Sequence, residues 1–133
     1  MTPGPRRLAP ALMVLDAVLI VAFAAAGRDT HASGMSAAGI LSTAAPFLAA
    51  WALSWAGLRA WRDPFRLWPA GIGIWLGTVA GGLLLRWLAG GGVAVSFQIV
   101  TLCVLGAFLL LPRLLGSLAL RRRAKHASAA DVR

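Results

Sequence analysis

Acidic residues are scarce in this chain, with four Asp or Glu against thirteen Lys or Arg among 133 residues. Tyrosine is absent, and Cys103 is the one cysteine. A single thiol excludes an internal disulfide and leaves Cys103 as a small residue in an apolar run. No pair of carboxylates stands at a spacing suited to general acid–base work, and no set of His, Cys, Asp and Glu has metal-ligand spacing. A nucleophile motif is also missing. Gly71-x-Gly73 and Gly90-Gly91-Gly92 do not join a strand to a helix in the pattern that cradles phosphates. These absences argue against an enzyme, and no cofactor and no metal are expected.

What is present is apolar. Hydrophobic residues make up 59% of the chain, charged residues 13%, and the net charge is +9. A soluble domain so basic would suggest nucleic acid. Here the basic residues flank long hydrophobic runs, where they act as topology signals, so no nucleic-acid partner is expected and the partner is the lipid bilayer.

The order of the runs predicts an all-α fold, a four-helix transmembrane bundle. A short N-terminal tail over 1–8 carries Arg6 and Arg7. Helices are expected over about 9–27, 37–58, 68–89 and 93–112, each long enough for a bilayer that needs about 20 apolar residues. A basic start, an apolar stretch and Ala24-Ala25-Ala26 imitate a secretory signal, but the run is too long and holds Asp16 near its middle, so a retained helix is expected. Residues 113–133 read as a basic C-terminal tail with a disordered end, and the sequence leaves open whether helix four continues past Pro112 through Leu114 to Leu120. Basic residues cluster before helix one, between helices two and three (Arg59, Arg62, Arg66) and after helix four. The positive-inside bias therefore places both termini in the cytoplasm, N-in and C-in, as four spans require, in a cell membrane.

Two features address packing. Gly73, Gly77 and Gly81 form a tandem G-x-x-x-G that bares one side of helix three. Ala45, Ala49, Ala52 and Ala56 make a narrow face on helix two that invites a close neighbour. Pro46 breaks the backbone ladder of that helix and frees the Ser42 carbonyl, which the hydroxyls of Ser42 or Thr43 are placed to relieve.

Asp16 is the residue the chain is organised around. A carboxylate at bilayer depth costs about 2.5–3.5 kcal/mol on insertion scales, so it faces protein or water. Its candidate partners are Arg86 near the far end of helix three, or a hydroxyl such as Thr78 or Ser54. The readings left open are a helix-packing acid, a proton or cation site, and a catalytic acid. Arg28 and His31 fall in the first connection, where Arg28 with Arg86 would make an anion site at the outer face.

Taken together, several strings resemble one family: Asp16 in helix one, Phe23-Ala24-Ala25-Ala26-Gly27-Arg28 followed by His31, Pro46-Phe47, Trp75-Leu76-Gly77-Thr78-Val79-Ala80-Gly81 running into Leu85-Arg86, and Ser96-Phe97. The chain resembles, over about Leu12 to Leu111, the small bacterial and archaeal integral membrane proteins grouped as domain of unknown function 3054. The resemblance implies a four-helix membrane architecture and no established activity, and it marks Asp16, Arg28, His31, Pro46, Trp75, Thr78 and Arg86 as motif positions. The leading functional expectation is a small ion- or proton-coupled transporter or channel-like unit using Asp16, with a parallel homodimer enclosing any pathway. The alternative is a non-catalytic accessory or scaffolding protein, and an outer-surface lipid-modifying enzyme using His31 and Arg86 comes last.

Overall fold

The structure, a computed structural model, describes residues 5–29 and 36–132, without the side chains of residues 5, 28, 29 and 132. A 3₁₀ turn over Pro5–Leu8 runs into α1 (Ala9–Asp29), followed by α2 (Ala37–Leu58), α3 (Ile72–Leu88) and α4 (Val95–Val132). Among the described residues there is no strand. Four helical stretches are long and apolar enough to cross a membrane.

Local chemistry sets the boundaries. Ser36 caps α2, its hydroxyl accepting from the Gly39 N–H at 3.0 Å, which satisfies one of the free donors at a helix start. At the other end Arg59 adopts the left-handed conformation (φ 50°, ψ 46°), a position where glycine is the usual residue. A 3₁₀ turn at Ala60–Arg62 and a wide turn at Leu67–Gly71 lead into α3, with Trp68 extended (φ −121°, ψ 133°). Helix α2 continues through Pro46. The hydroxyls of Ser42 and Thr43 donate to the Gly39 carbonyl at 3.3 and 3.1 Å, not to the Ser42 carbonyl as the sequence suggested. A hydroxyl reaches one turn back more readily than its own carbonyl.

Helices α2 and α3 pack along the glycine row. A Cβ at Gly73 would meet Leu58, one at Gly77 would meet Ser54, and one at Gly81 would meet Ala50. Small residues let the two backbones approach. The alanine face of α2 is a correction: Ala45, Ala49, Ala52 and Ala56 are all exposed, and the inward face is Ala44, Phe47, Ala50, Trp51 and Trp55. Aromatic anchors won that face because they bury far more area than alanine. The outer surface is apolar as well, with Val14, Val18, Leu53, Leu84 and Val95 exposed, which suits lipid as the solvent.

Helix α4 also differs from expectation. It does not stop at Pro112 but continues to Val132, so the stretch expected to be a tail is helical through Arg121–Arg123 and Lys125. At 1.5 Å per residue it is about 57 Å long, well beyond a hydrocarbon core of about 30 Å. The chain order brings the basic segments to one end. Arg6 lies beside Arg62, its Nε donating to that carbonyl at 3.4 Å, and Asp63, Phe65, Arg66 and Trp68 share a cavity with Ser117, Leu120 and Arg121. The ends of α1 and α3 and the start of α4 lie at the opposite end.

Candidate functional site: a sealed carboxylate

Every fourth residue of three helices builds the site. On α1 the buried residues Leu12, Asp16, Ile20, Phe23 and Ala24 form one stripe, and on α4 Thr101, Leu105, Leu109 and Arg113 form another. This is the periodicity that keeps side chains on one helix face. Trp51 and Trp55, four apart on α2, complete the enclosure. Asp16 and Arg113 are both 0% exposed.

Four hydrogen bonds converge on the Asp16 carboxylate. Arg113 Nη2 donates to Oδ2 at 2.6 Å and Nη1 to Oδ1 at 3.0 Å, a two-pronged ion pair. The indole N–H groups of Trp51 and Trp55 donate to Oδ2 at 3.0 and 3.1 Å. Arg113 Nη1 also donates to the Leu109 carbonyl at 2.6 Å, and its Cζ stands 5.5 Å from the Trp55 ring centroid, within cation–π range. Pro112, one residue earlier, cannot donate to the helix ladder, which loosens the carbonyls of the preceding turn. Burying two charges is costly, and an ion pair offsets that cost only with good geometry and further hydrogen bonds. Here the geometry is two-pronged and Trp51, Trp55 and the Leu109 carbonyl add further bonds, with Arg113 Nε left without a partner among the described residues.

The chemistry of this cluster is limited. Indole and guanidinium groups offer donors only. All four point at the acid and none can accept a proton from it, with three of the bonds on Oδ2 and one on Oδ1.

The partners expected from the sequence are elsewhere. Arg86 does not pair with Asp16. Its Nε donates to the Gly92 carbonyl at 2.8 Å, and its Cζ lies 4.8 Å from the Phe97 ring centroid, at the end opposite the basic segments. Ser54 donates to Ala50 O at 2.8 Å. Thr78 is buried, and among the described residues its hydroxyl has no partner, like that of Thr101 and like Arg113 Nε. His31 and the Arg28 side chain lie outside the described residues. Among the described residues no three of His, Cys, Asp and Glu form a group that could hold a metal.

Arg113 is the functional-site residue that sequence reading missed. Pro112-Arg113 closes an apolar run and reads as a boundary, yet Leu114, Leu115, Leu118 and Leu120 follow it. A lone charge flanked by apolar residues on both sides was the available signal, the same that singles out Asp16. Depth agrees. Asp16 is about 10 Å from the start of α1, and Arg113 about 27 Å from the start of α4, which crosses in the opposite sense. Side chains lean toward the N-terminus of their helix, so the two lean toward each other.

A family described as "protein of unknown function (DUF3054)" matches residues 13–116, a stretch holding Asp16, Trp51, Trp55, Arg86 and Arg113. No curated protein and no solved structure matches the chain.

Proposed function

We propose, for a chain that belongs to the DUF3054 family of proteins of unknown function, a non-catalytic role as a multi-pass membrane protein of the accessory or scaffolding kind, in which the Asp16–Arg113 pair locks α1, α2 and α4 together. The observation that carries this reading is the enclosure of Asp16: four donors, no exposure, and no group among its partners able to take up a proton. A carboxylate used for transport must be reached by water at some stage, and loading this one with a proton or cation would strand a buried guanidinium.

The rival reading is an ion- or proton-coupled transporter or channel-like unit using Asp16. It draws on the unpartnered interior atoms, Thr78 Oγ1, Thr101 Oγ1 and Arg113 Nε, since buried polar groups normally have partners. Protein reconstituted in liposomes around a pH-sensitive dye separates the two. Under the scaffolding reading, parent and Asp16→Asn proteins both pass protons no faster than protein-free liposomes. A flux present in the parent and lost in a helical Asp16→Asn protein would overturn it.

The basic end faces the cytoplasm in this proposal, with both termini on that side of the cell membrane, because Arg and Lys are retained there. Any homodimer is parallel for the same reason, and the partners are lipid and protein, not nucleic acid.

A further inference from the structure

We propose that the cavity beside Arg86 binds the headgroup of an anionic phospholipid. The cavity, of about 440 Å³, opens at the end of the bundle opposite the basic segments and is lined by Phe23, Gly27, Arg86, Ala94, Ser96 and Phe97 among others. Among the described residues its chemistry comes from one cation, Arg86, in an apolar setting. Phe23 and Phe97 form its floor, with buried Phe47 packed behind them and ring centroids 5.7–6.3 Å apart among the three.

The guanidinium is held in place before any ligand arrives. Its Nε bonds the Gly92 carbonyl at 2.8 Å, and its plane carbon rests 4.8 Å from the Phe97 centroid. The loop can lie this close because residue 91 is glycine: a Cβ there would come within 2.7 Å of Arg86 Cγ and 3.1 Å of its carbonyl oxygen. With Nε engaged, Nη1 and Nη2 have no protein acceptor among the described residues. Two parallel N–H groups of a guanidinium match two oxygens of a phosphate. Ser96 adds a hydroxyl on the same wall.

The setting selects a lipid over a free anion. Exposed Trp87 and Leu88 follow Arg86 in sequence, and an indole beside a cation marks headgroup depth. A phosphodiester bonded to Arg86 lets its glycerol and first methylenes cover the phenylalanine floor, which inorganic phosphate cannot do.

Native mass spectrometry of the full chain in neutral detergent tests this, with dioleoylphosphatidylglycerol and dioleoylphosphatidylcholine as probes. One phosphatidylglycerol should remain bound per chain, roughly tenfold or more tighter than phosphatidylcholine. Arg86→Gln should remove that difference. Ala94→Trp, which fills the cavity and leaves the Arg86–Gly92 bond in place, should remove it too. Replacing Arg121, Arg122 and Arg123 by Gln should leave it unchanged. Excess inorganic phosphate should not displace the lipid. Equal retention of the two lipids, retention by both the Arg86→Gln and Ala94→Trp proteins, loss on changing only the basic end, or displacement by phosphate alone would each overturn the assignment.

Discussion

Neutralising one member of the Asp16–Arg113 pair should cost more than neutralising both. In the Arg113→Gln protein, Asp16 keeps two indole donors at 3.0 and 3.1 Å and loses both guanidinium bonds and its countercharge. A buried ion stranded in this way costs about 3–5 kcal/mol. In Asp16→Asn the amide carbonyl still accepts from the indoles, but the guanidinium is left with the Leu109 carbonyl and the Trp55 face, at a cost in the same range of about 3–5 kcal/mol. The double variant Asp16→Asn/Arg113→Gln buries no charge. Its Asn carbonyl serves the indoles and its Gln amide can serve Leu109, so the remaining cost is that of imperfect neutral hydrogen bonds, about 1–2 kcal/mol. Equilibrium unfolding in mixed micelles, followed by far-UV circular dichroism, gives all four corners of the cycle. The double variant is expected to be more stable than either single one. A double variant that costs the sum of the two singles would mean that the charges do not act as a pair, and the lock would be refuted.

Two further outcomes follow from the packing and the charge distribution. Gly82→Ala should lower stability by about 1–3 kcal/mol, because a Cβ there would meet the Phe47 ring, with Cε1 at 2.7 Å and Cγ at 2.9 Å. Gly57→Ala has nothing within 4 Å and should raise stability by about 0.5–1 kcal/mol through helix propensity, so thermal melts of the two should move in opposite directions. In a Cys103→Ser background, an impermeant maleimide added to whole cells should label Thr30→Cys and not Asp63→Cys. The reverse pattern would invert the proposed topology.

The long apolar runs made the architecture legible, because in lipid only helices and closed barrels satisfy their backbones and periodicity decides between them. The glycine row of α3 was legible as a close-approach surface for the same local reason. The alanine face of α2 misled, since small residues at helical spacing mark a face without saying whether a helix or lipid covers it. Phe47, Trp51 and Trp55 settle it by size. At the site, Asp16 stood out as a lone charge. Its partner did not, because pairing across 97 positions depends on α4 continuing past Pro112. A proline followed by arginine signals a stop, yet the ladder resumes where leucines flank it on both sides. Arg86 is a tempting counterion by charge alone, but the rise per residue already sets it about 10 Å from Asp16 in depth, and it lies against Gly92 and Phe97 at the other end of the bundle.

The claim on which the account rests is that water does not reach Asp16. Indole N–H exchange with solvent reads this directly, in nitrogen-15 tryptophan-labelled protein in lipid nanodiscs. The Trp51 and Trp55 indoles, 8% and 2% exposed and bonded to Asp16, are expected to exchange far more slowly than those of Trp61 and Trp68, 46% and 70% exposed. Asp16→Asn should shift both protected signals. Exchange at Trp51 and Trp55 as fast as at Trp61 would place water at the carboxylate and contradict the lock.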